Sequence, residues 1–310
     1  MRVSTFTLNP AIDKTYYADD FALDKVNRAE KTKTNAGGKG INFTAALAEC
    51  SVPLLALGFL GTGGNMIDAF LKAKNVETDF VRTEGEIRTN IKICDLKRGT
   101  YTDLNEGGAP VSKDEMIRLF EKAEEAAKKS GIVYMGGSLP MGAGDDTYAK
   151  IIKLCKACGA LSAADTSGAA LKCAIAEKPD IIKPNEKEAE ELLGEPITSV
   201  SDAAKAAKKL FSLGIKNVLL SLGGEGAVCA GEDGVYRVCP LPVSVKSTVG
   251  AGDSFLAGFV YGKTRGASFE ECIKYAASFS AAKIEKDGTD IPAFDDLTKY
   301  VNSVKLENLV

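Results

Sequence analysis

The chain has 310 residues, of which 45% are hydrophobic and 26% charged, with a formal net charge of −3. This composition is ordinary for a globular enzyme and excludes a disordered chain, and the slightly acidic balance argues against a general nucleic-acid binder. Small molecules are the expected partners. Because the sequence contains no histidine, a Ser-His-Asp triad and a histidine-ligated metal are excluded.

The first residues, MRVSTFTLNPAID, turn polar too early for a signal peptide, and no apolar run is long enough to span a membrane. We therefore expect a cytoplasmic protein without membrane contact. The eight cysteines fall mostly in apolar helix or strand patterns, which predicts buried free thiols. Cys155 and Cys158 form a CxxC pair that is typical of a helix end here, with metal or redox use as the alternative.

Short apolar runs alternate with longer amphipathic stretches along most of the chain. They predict buried strands over 2–8, 53–61, 131–139, 159–165, 179–185 and 217–224, with helices such as 65–75 and 202–214 between them. This order predicts a mostly parallel sheet with helices on both faces, in one α/β domain spanning 1–310.

Two segments, about 15–35 and about 80–105, lack a clear helical period and interrupt this alternation. They predict antiparallel strands of a small extra sheet, whose exposed edges and apolar side chains need cover. If the polar side chains of this small sheet face a ligand, its opposite face carries the apolar side chains of Tyr16, Phe21, Ile91 and Ile93. Pairing with a second copy across a two-fold axis would bury them, so we expect a homodimer.

The first glycine cluster, NAGGKGIN, places Gly38 and Lys39 at the start of an amphipathic helix. It matches neither the Walker P-loop nor the GxGxxG dinucleotide pattern. Glycine permits close approach of a ligand to the backbone, Lys39 supplies positive charge, and Asn42 supplies both a donor and an acceptor. A glycine-rich helix cap with a solvated lysine explains the same letters.

Polar residues and glycines follow several predicted strands, at the sheet edge where α/β proteins bind ligands. They are Asn9 and Asp13, Ser138, Lys183, Asn185 and Glu188, and Ser221, Gly223, Gly224 and Gly226. Each also has an account as a turn or cap. Asp13 suits two sugar hydroxyls, or an Asx-turn after Pro10, and the pair Asn185 and Glu188 suits a hydrated Mg²⁺.

The second glycine cluster, STVGAGDSFLAGF, places Gly250, Ala251 and Gly252 before Asp253 and an apolar helix. The free amides at the start of a helix, together with the helix dipole, form a site for an anion. The charge of Asp253 is favoured at such a position, and an ordinary helix N-cap explains an aspartate here as well as a role at that site does.

Together, AGGKGIN and STVGAGDSFLAGF resemble the two signatures of the ribokinase-like (pfkB) family of sugar kinases. The motifs TLNPAID, VNR, RTNIKI, DTSGAAL, IKPNE and SLGGEGA are similar to those of 1-phosphofructokinases and tagatose-6-phosphate kinases, and the resemblance runs through essentially the whole chain. One departure is Thr62, where relatives commonly have another glycine. The resemblance implies a three-layer α/β/α domain with a β-sheet lid, ATP with Mg²⁺, and Asp253 as the base.

The resemblance also implies a set of site residues. The phosphoryl-transfer turn comprises Gly250, Ala251, Gly252 and Asp253. The sugar phosphate would contact Asp13, Arg28, Gly38, Lys39, Asn42, Arg88, Asn90, Ser138 and Asp253. ATP would contact Lys183, Asn185, Ser221, Gly223, Gly224, Gly226, Thr248, Gly250 and Gly252, and Mg²⁺ would contact Asn185 and Glu188.

The expected substrate is a phosphorylated ketohexose, because Lys39, Arg28 and Arg88 bring more positive charge than an uncharged sugar needs. Fructose 1-phosphate, phosphorylated at its 6-hydroxyl, is the favoured substrate, and tagatose 6-phosphate is the alternative. Arg28 and Arg88 are equally explained as solvated lid charges. A sugar-phosphate sensor that has lost its chemistry is the competing class of function.

Overall fold

A computed structural model describes residues 1–309 of the chain. Within them the strands are β1 (Val3–Thr7), β2 (Ala11–Ala18), β3 (Lys31–Gly37), β4 (Leu54–Thr62), β5 (Glu77–Thr78), β6 (Val81–Glu86), β7 (Arg88–Asp95), β8 (Thr100–Asn105), β9 (Ile132–Gly136), β10 (Leu161–Asp165), β11 (Ile181–Ile182), β12 (Asn217–Ser221), β13 (Ala227–Gly231), β14 (Gly234–Val238) and β15 (Leu306–Asn308).

The α-helices lie between and after these strands. They are α1 (Lys39–Ala48), α2 (Asn65–Ala73), α3 (Lys113–Lys129), α4 (Thr147–Cys158), α5 (Gly168–Ala176), α6 (Glu186–Leu193), α7 (Val200–Ser212), α8 (Ala251–Thr264), α9 (Phe269–Ile284) and α10 (Phe294–Thr298), with 3₁₀ turns at Gly223–Glu225 and Val301–Ser303. The strands and helices predicted from the hydrophobic pattern are all confirmed, whereas β5, β13, β14 and β15 were not predicted.

The main sheet has the order β15-β14-β13-β12-β11-β10-β9-β1-β4-β5, and β6 also pairs with β4. From β12 to β5 and β6 every pairing is parallel, and the three pairings from β12 to β15 are antiparallel. The prediction of a mostly parallel sheet is therefore confirmed. The carboxyl ends of the parallel strands meet at one edge of the sheet, which is where ligands bind in such folds.

Side chains along the central strands alternate between two buried layers. In β9, Ile132 and Tyr134 pack in a core with residues of α1, α8 and α9, whereas Val133 and Met135 pack in a second core with residues of α3 and α4. A third buried cluster packs α6 and α7 against β11, β12 and β13. Helices thus cover both faces of the sheet, and the three-layer α/β/α arrangement is confirmed.

The lid is a separate four-stranded sheet of order β3-β2-β7-β8. Each segment supplies an antiparallel pair, as predicted, and the two pairs join through parallel pairing of β2 with β7. The first pair begins at Ala11 rather than near 15. In the second segment, Val81–Glu86 pairs with β4 of the main sheet, so only 88–105 belongs to the lid. Alternation along the strands places Asp13 and Asn90 on the face toward the site.

All eight cysteines are free thiols, as expected, but only half of them are buried: Cys94, Cys155, Cys229 and Cys272. Cys155 and Cys158 lie in the last turn of α4, which ends at Gly159 in the left-handed conformation, so the helix-end interpretation of the CxxC pair is confirmed. Residues 1–309 contain no cluster of three or more metal-ligating side chains. None of the helices in this part of the chain has the length and apolarity that a membrane crossing requires.

Candidate active site

The 250–253 turn leads into α8 and leaves backbone amides pointing outward. Gly250 is the helix N-cap, with φ of 74°, a conformation that favours glycine. The amide of Ala251 closes the turn on the carbonyl of Thr248 at 3.2 Å. Within the described residues, the amides of Gly252 and Asp253 have no backbone acceptor, so these two amides are available to an anion at the positive end of the helix dipole.

Asp253 is buried in the first turn of α8, three residues after the N-cap, so the N-cap explanation of this aspartate is wrong. Its Oδ2 accepts a hydrogen bond from Nδ2 of Asn42 at 2.9 Å. Burial and the nearby charge of Asp165 raise the pKa of Asp253 to about 6, and Lys39 works against that shift. The carboxyl group is therefore mostly ionised at neutral pH, as a general base must be.

Asp165, at the end of β10, holds two of the predicted lysines and was missed by sequence reasoning. Its Oδ1 accepts Nζ of Lys39 at 2.9 Å and lies 3.5 Å from Nζ of Lys183, while its other oxygen is buried without a hydrogen bond. Despite its burial, the two ammonium groups hold the pKa of Asp165 below its usual range. In turn, against the effect of burial, Asp165 and Asp253 raise the pKa of Lys39.

The two lysines that lie next to the Asp165 carboxylate are also close to the 250–253 turn. A β-carbon at Gly252 would lie 3.1 Å from Nζ of Lys183. Lys39 follows Gly38, which caps α1 with φ of 106° and leaves the helix start open. Two ammonium groups, two free amides and one buried base therefore meet at the carboxyl edge of the sheet. This is the charge pattern that phosphoryl transfer requires.

A cavity separates the lid from the 250–253 turn. Oδ1 of Asp13 accepts a hydrogen bond from Nδ2 of Asn90 at 2.8 Å, and burial raises the pKa of Asp13. The cavity wall continues through Lys33 and Lys92 to Val249, the residue before the turn. Asp13 is thus a partly buried acceptor in a polar cavity, as expected for a residue that binds sugar hydroxyls.

Three other predicted sugar-site residues lie farther along the lid and the sheet edge. Arg88 donates from Nε to the carbonyl of Asn9 at 3.1 Å, and its charge acts on Asp13. Ser138 accepts from Nδ2 of Asn9 at 3.1 Å. Arg28 is exposed in the loop between β2 and β3 and makes no contact with the other predicted residues in this part of the chain. The fold thus brings Arg88 to the site, but not Arg28.

An apolar cleft lies on the other side of the turn. It runs from Gly223, Gly224 and Gly226 to α8 and α9, and its apolar lining comprises Val238, Leu241, Val243, Val245, Phe255, Ala277, Ala281 and Ile284. Sequence reasoning found the glycines but did not identify these apolar residues. Ser221 bridges to Asn185, which brings the end of β12 next to the start of α6. The cleft offers an apolar surface for a flat ring beside the predicted nucleotide residues.

Asn185 and Glu188 form a capping box at the start of α6. Oδ1 of Asn185 accepts the amide of Glu188, and Oε2 of Glu188 accepts the amide of Asn185, both at 2.9 Å. Their spacing therefore has a structural cause. The box uses one carboxylate oxygen of Glu188, and the other remains available. Since Mg²⁺ is commonly held by one or two carboxylates, phosphates and water, this donor set fits the ion.

A profile of the pfkB family carbohydrate kinases matches residues 7–296. The chain belongs to the pfkB family of carbohydrate kinases. The pfkB kinases use ATP to phosphorylate a hydroxyl group of a sugar, and this chain shares their fold. The resemblance seen in the glycine motifs is thereby confirmed.

Individual pfkB relatives match over nearly the full length. The chain is 36% identical to a 1-phosphofructokinase of Bacillus subtilis, with 90% of this chain and 91% of the relative covered. It is 33% identical to a tagatose-6-phosphate kinase of Staphylococcus epidermidis, with coverage of 98% and 100%. The structure of phosphofructokinase-2 from Escherichia coli with substrates and products superposes with a TM-score of 0.92 at 28% identity, covering 98% and 99%.

Proposed function

We propose that this pfkB kinase transfers the γ-phosphoryl group of ATP to the 6-hydroxyl of fructose 1-phosphate. The observation that carries the proposal is the buried Asp253 at two free helix amides, next to the pair of lysines on Asp165. The names of the relatives, 1-phosphofructokinase and tagatose-6-phosphate kinase, support a phosphorylated ketohexose. Arg88 beside Asp13 supports an anionic sugar over a neutral one.

In the proposed mechanism, Asp253 accepts the proton of the sugar hydroxyl while that oxygen bonds to the γ-phosphorus. The bond from the γ-phosphorus to the bridging oxygen breaks, and ADP leaves with its electron pair. The amides of Gly252 and Asp253 and the ammonium groups of Lys39 and Lys183 stabilise negative charge on the oxygens. Asp13 positions the sugar through its hydroxyls, so that the attacking oxygen lies in line.

For the nucleotide, we assign the phosphates to the turn and Lys183, and the base to the apolar cleft near Gly224. Mg²⁺ bound to the phosphates would supply further positive charge to the leaving group. Glu188 and Asn185 are the residues we assign to hold that ion through its water molecules. We also propose a cytoplasmic location, which the eight free thiols support.

We expect a coupled assay to rank fructose 1-phosphate above tagatose 6-phosphate, fructose 6-phosphate and ribose in kcat/KM. The reason is that binding energy from the 1-phosphate, which is remote from the reacting 6-hydroxyl, positions that hydroxyl. A sugar without a 1-phosphate should therefore be phosphorylated more slowly. Activity on ribose alone would refute the sugar-phosphate proposal. Tight binding of a sugar phosphate without any ATP-dependent product would instead favour the sensor.

We further propose that two copies pair through the lid. The lid face away from the site carries Ile12, Tyr16, Ile91, Ile93 and Leu104, of which Leu104 is 65% exposed. The loop between β2 and β3 adds Leu23 and Val26, at 85% and 82% exposed. Apolar side chains exposed together on a small sheet are typical of an interface between subunits.

Sedimentation at micromolar concentration should therefore detect about twice the 32.7 kDa of one chain. Leu104→Asp should convert the dimer to monomers, because it places a charge inside the apolar contact. Ile117→Asp is the matched control, since Ile117 is 57% exposed but lies on α3, away from the lid. A single 32.7 kDa species for the wild type, with and without substrate, would show that the lid is covered in another way.

A further inference from the structure

Lys283 is fully buried, although it belongs to none of the groups described above. It lies in the last turn of α9 with 0% of its surface exposed. Its Nζ donates to the carbonyl oxygen of Gly288 at 2.6 Å. Lysine is almost never fully buried without a partner, because removing an ammonium group from water is costly. A buried lysine held by a neutral carbonyl therefore calls for a role.

The position of Lys283 connects it to the 250–253 turn. A β-carbon at Gly250 would lie 3.3 Å from Cε of Lys283, so the lysine stem packs directly behind the turn. The backbone joins the same two regions: the amides of Lys246 and Ser247 donate to the carbonyl of Ile284, at 2.7 Å and 3.2 Å. The end of α9 thus supports the segment that leads into the turn.

The loop that follows α9 connects to the lid. The hydroxyl of Thr289 accepts a hydrogen bond from Nδ2 of Asn35, and Oδ1 of Asp290 pairs with Nζ of Lys33 at 2.6 Å. Asn35 and Lys33 both lie in β3, and both line the cavity with Asp13. The carbonyl held by the buried lysine is in the same loop, one residue before Thr289. The lysine therefore lies between the turn and the contacts of the loop with the lid.

We propose that Lys283 is a positioning residue for phosphoryl transfer: its ammonium group holds the Gly288 carbonyl and so fixes the 287–290 loop, with its lid contacts, against the 250–253 turn. The inference rests on the proposed function for its effect on rate. It assigns a task to a lysine that itself lines neither the cavity beside Asp13 nor the apolar cleft.

The charges around Lys283 make this arrangement dependent on pH. The facing groups are Asp253 from α8, Asp287 and Asp290 from the loop, and Lys33 from β3. Burial lowers the pKa of Lys283 to about 8, with the three carboxylates opposing that shift and Lys33 adding to it. The ammonium form is therefore lost as pH rises through about 8, which is within the range of an activity assay.

The test is Lys283→Met, which keeps an unbranched apolar stem and removes the charge. At neutral pH we expect kcat to fall on the order of 10- to 100-fold, with the sugar KM nearly unchanged, because the site remains but is misplaced. The wild-type kcat should decline above about pH 8, and the variant should lack this decline. Hydrogen exchange of residues 31–37 and 287–291 should be faster in the variant.

Lys286→Met is the matched control, since Nζ of Lys286 pairs with Asp296 of α10 at 2.7 Å rather than with the loop. It should keep the wild-type kcat, the alkaline decline and the exchange rates. The sugar phosphate does not confound the decline, because phosphate monoesters titrate near pH 6. A folded Lys283→Met enzyme with wild-type kcat, or with an unchanged alkaline decline, would overturn the inference.

Two further measurements cover the cases in which that comparison fails. If Lys283→Met does not fold, Asp290→Asn removes a carboxylate that raises the pKa of Lys283, so the alkaline decline must move to lower pH; an unmoved decline overturns the inference. If the wild type phosphorylates no sugar phosphate, the proposed function is refuted, and hydrogen exchange then decides the structural link alone. Unchanged exchange of 31–37 and 287–291 in the variant would reject it.

Discussion

Replacement of Asp253 by asparagine should lower kcat on the order of 10² to 10⁴-fold while leaving the Kd of the sugar phosphate and of ATP nearly intact. Asparagine keeps the size of the side chain and can still accept the hydrogen bond that Asn42 donates at 2.9 Å. It cannot accept the proton of the sugar hydroxyl. The amides and lysines that we assign to the phosphates remain in place, so the loss should fall on kcat.

The stability of this variant separates a base from a structural aspartate. Burial raises the pKa of Asp253 to about 6, so its folded form binds protons more tightly than the unfolded chain, and ionisation at neutral pH costs stability. Asp253→Asn should therefore melt at or above the wild-type temperature. Asp145→Asn, in the exposed loop before α4, is the control for the substitution itself. A folded Asp253→Asn enzyme with near-wild-type kcat would disprove the base.

The features that could be predicted from the sequence are those that depend on residues close together in the chain. A few adjacent residues are enough to form the 250–253 turn, the Gly38 cap, and the capping box of Asn185 and Glu188. The strands of the main sheet likewise follow from short apolar runs between helical patterns. A local pattern was misleading only where two explanations fit it. The sequence around Asp253, for example, allowed this residue to be a helix N-cap.

The features that could not be predicted depend on which strands become neighbours. Asp165 is 126 residues from Lys39, and they meet because β10 lies between β9 and β11 in the sheet. The parallel pairing of β2 with β7 depends on the crossover through β4, α2 and β6. Apolar residues such as Val238 and Ile284 line a cleft only because α9 packs beside β14; in sequence they are indistinguishable from the core.

The same long-range contact leads to a second large effect: Asp165→Asn should reduce the free energy of unfolding by about 3 kcal/mol at neutral pH. The variant leaves the ammonium groups of Lys39 and Lys183 close together without their shared carboxylate, and the side chain of Lys183 is only 6% exposed. Lys39 is 37% exposed and reaches solvent, which keeps the loss at the lower end for a broken buried pair.

Asp146→Asn is the matched control for this loss. Asp146 pairs with Lys150 at 2.9 Å, the same distance as the pair of Asp165 with Lys39, but both side chains are more than half exposed. Its removal should change the free energy of unfolding by less than about 1 kcal/mol, because water replaces the lost partner. Equal losses in the two variants, measured by urea unfolding, would show that the buried carboxylate contributes no more than a surface pair.

The pH dependence identifies the charge of Asp165 as the cause. Because the lysines hold its folded pKa below the unfolded value of about 4, its contribution is complete above pH 4 and is lost as pH falls through the folded pKa. The difference between wild type and Asp165→Asn should thus persist from neutral pH to about 4.5 and shrink below that. A difference that stays constant at still lower pH would indicate lost packing instead of lost charge.

Activity supplies an independent check on the same charge. Asp165 raises the pKa of Asp253, whereas Lys39 and Lys183 lower it, so removing the Asp165 carboxylate leaves only burial to raise that pKa. The acidic decline of kcat, expected near pH 6 in the wild type, should therefore move to lower pH in Asp165→Asn. The substrate phosphate titrates in the same range, but it is identical in both enzymes. An unmoved acidic decline would mean that the two carboxylates do not interact in the working enzyme.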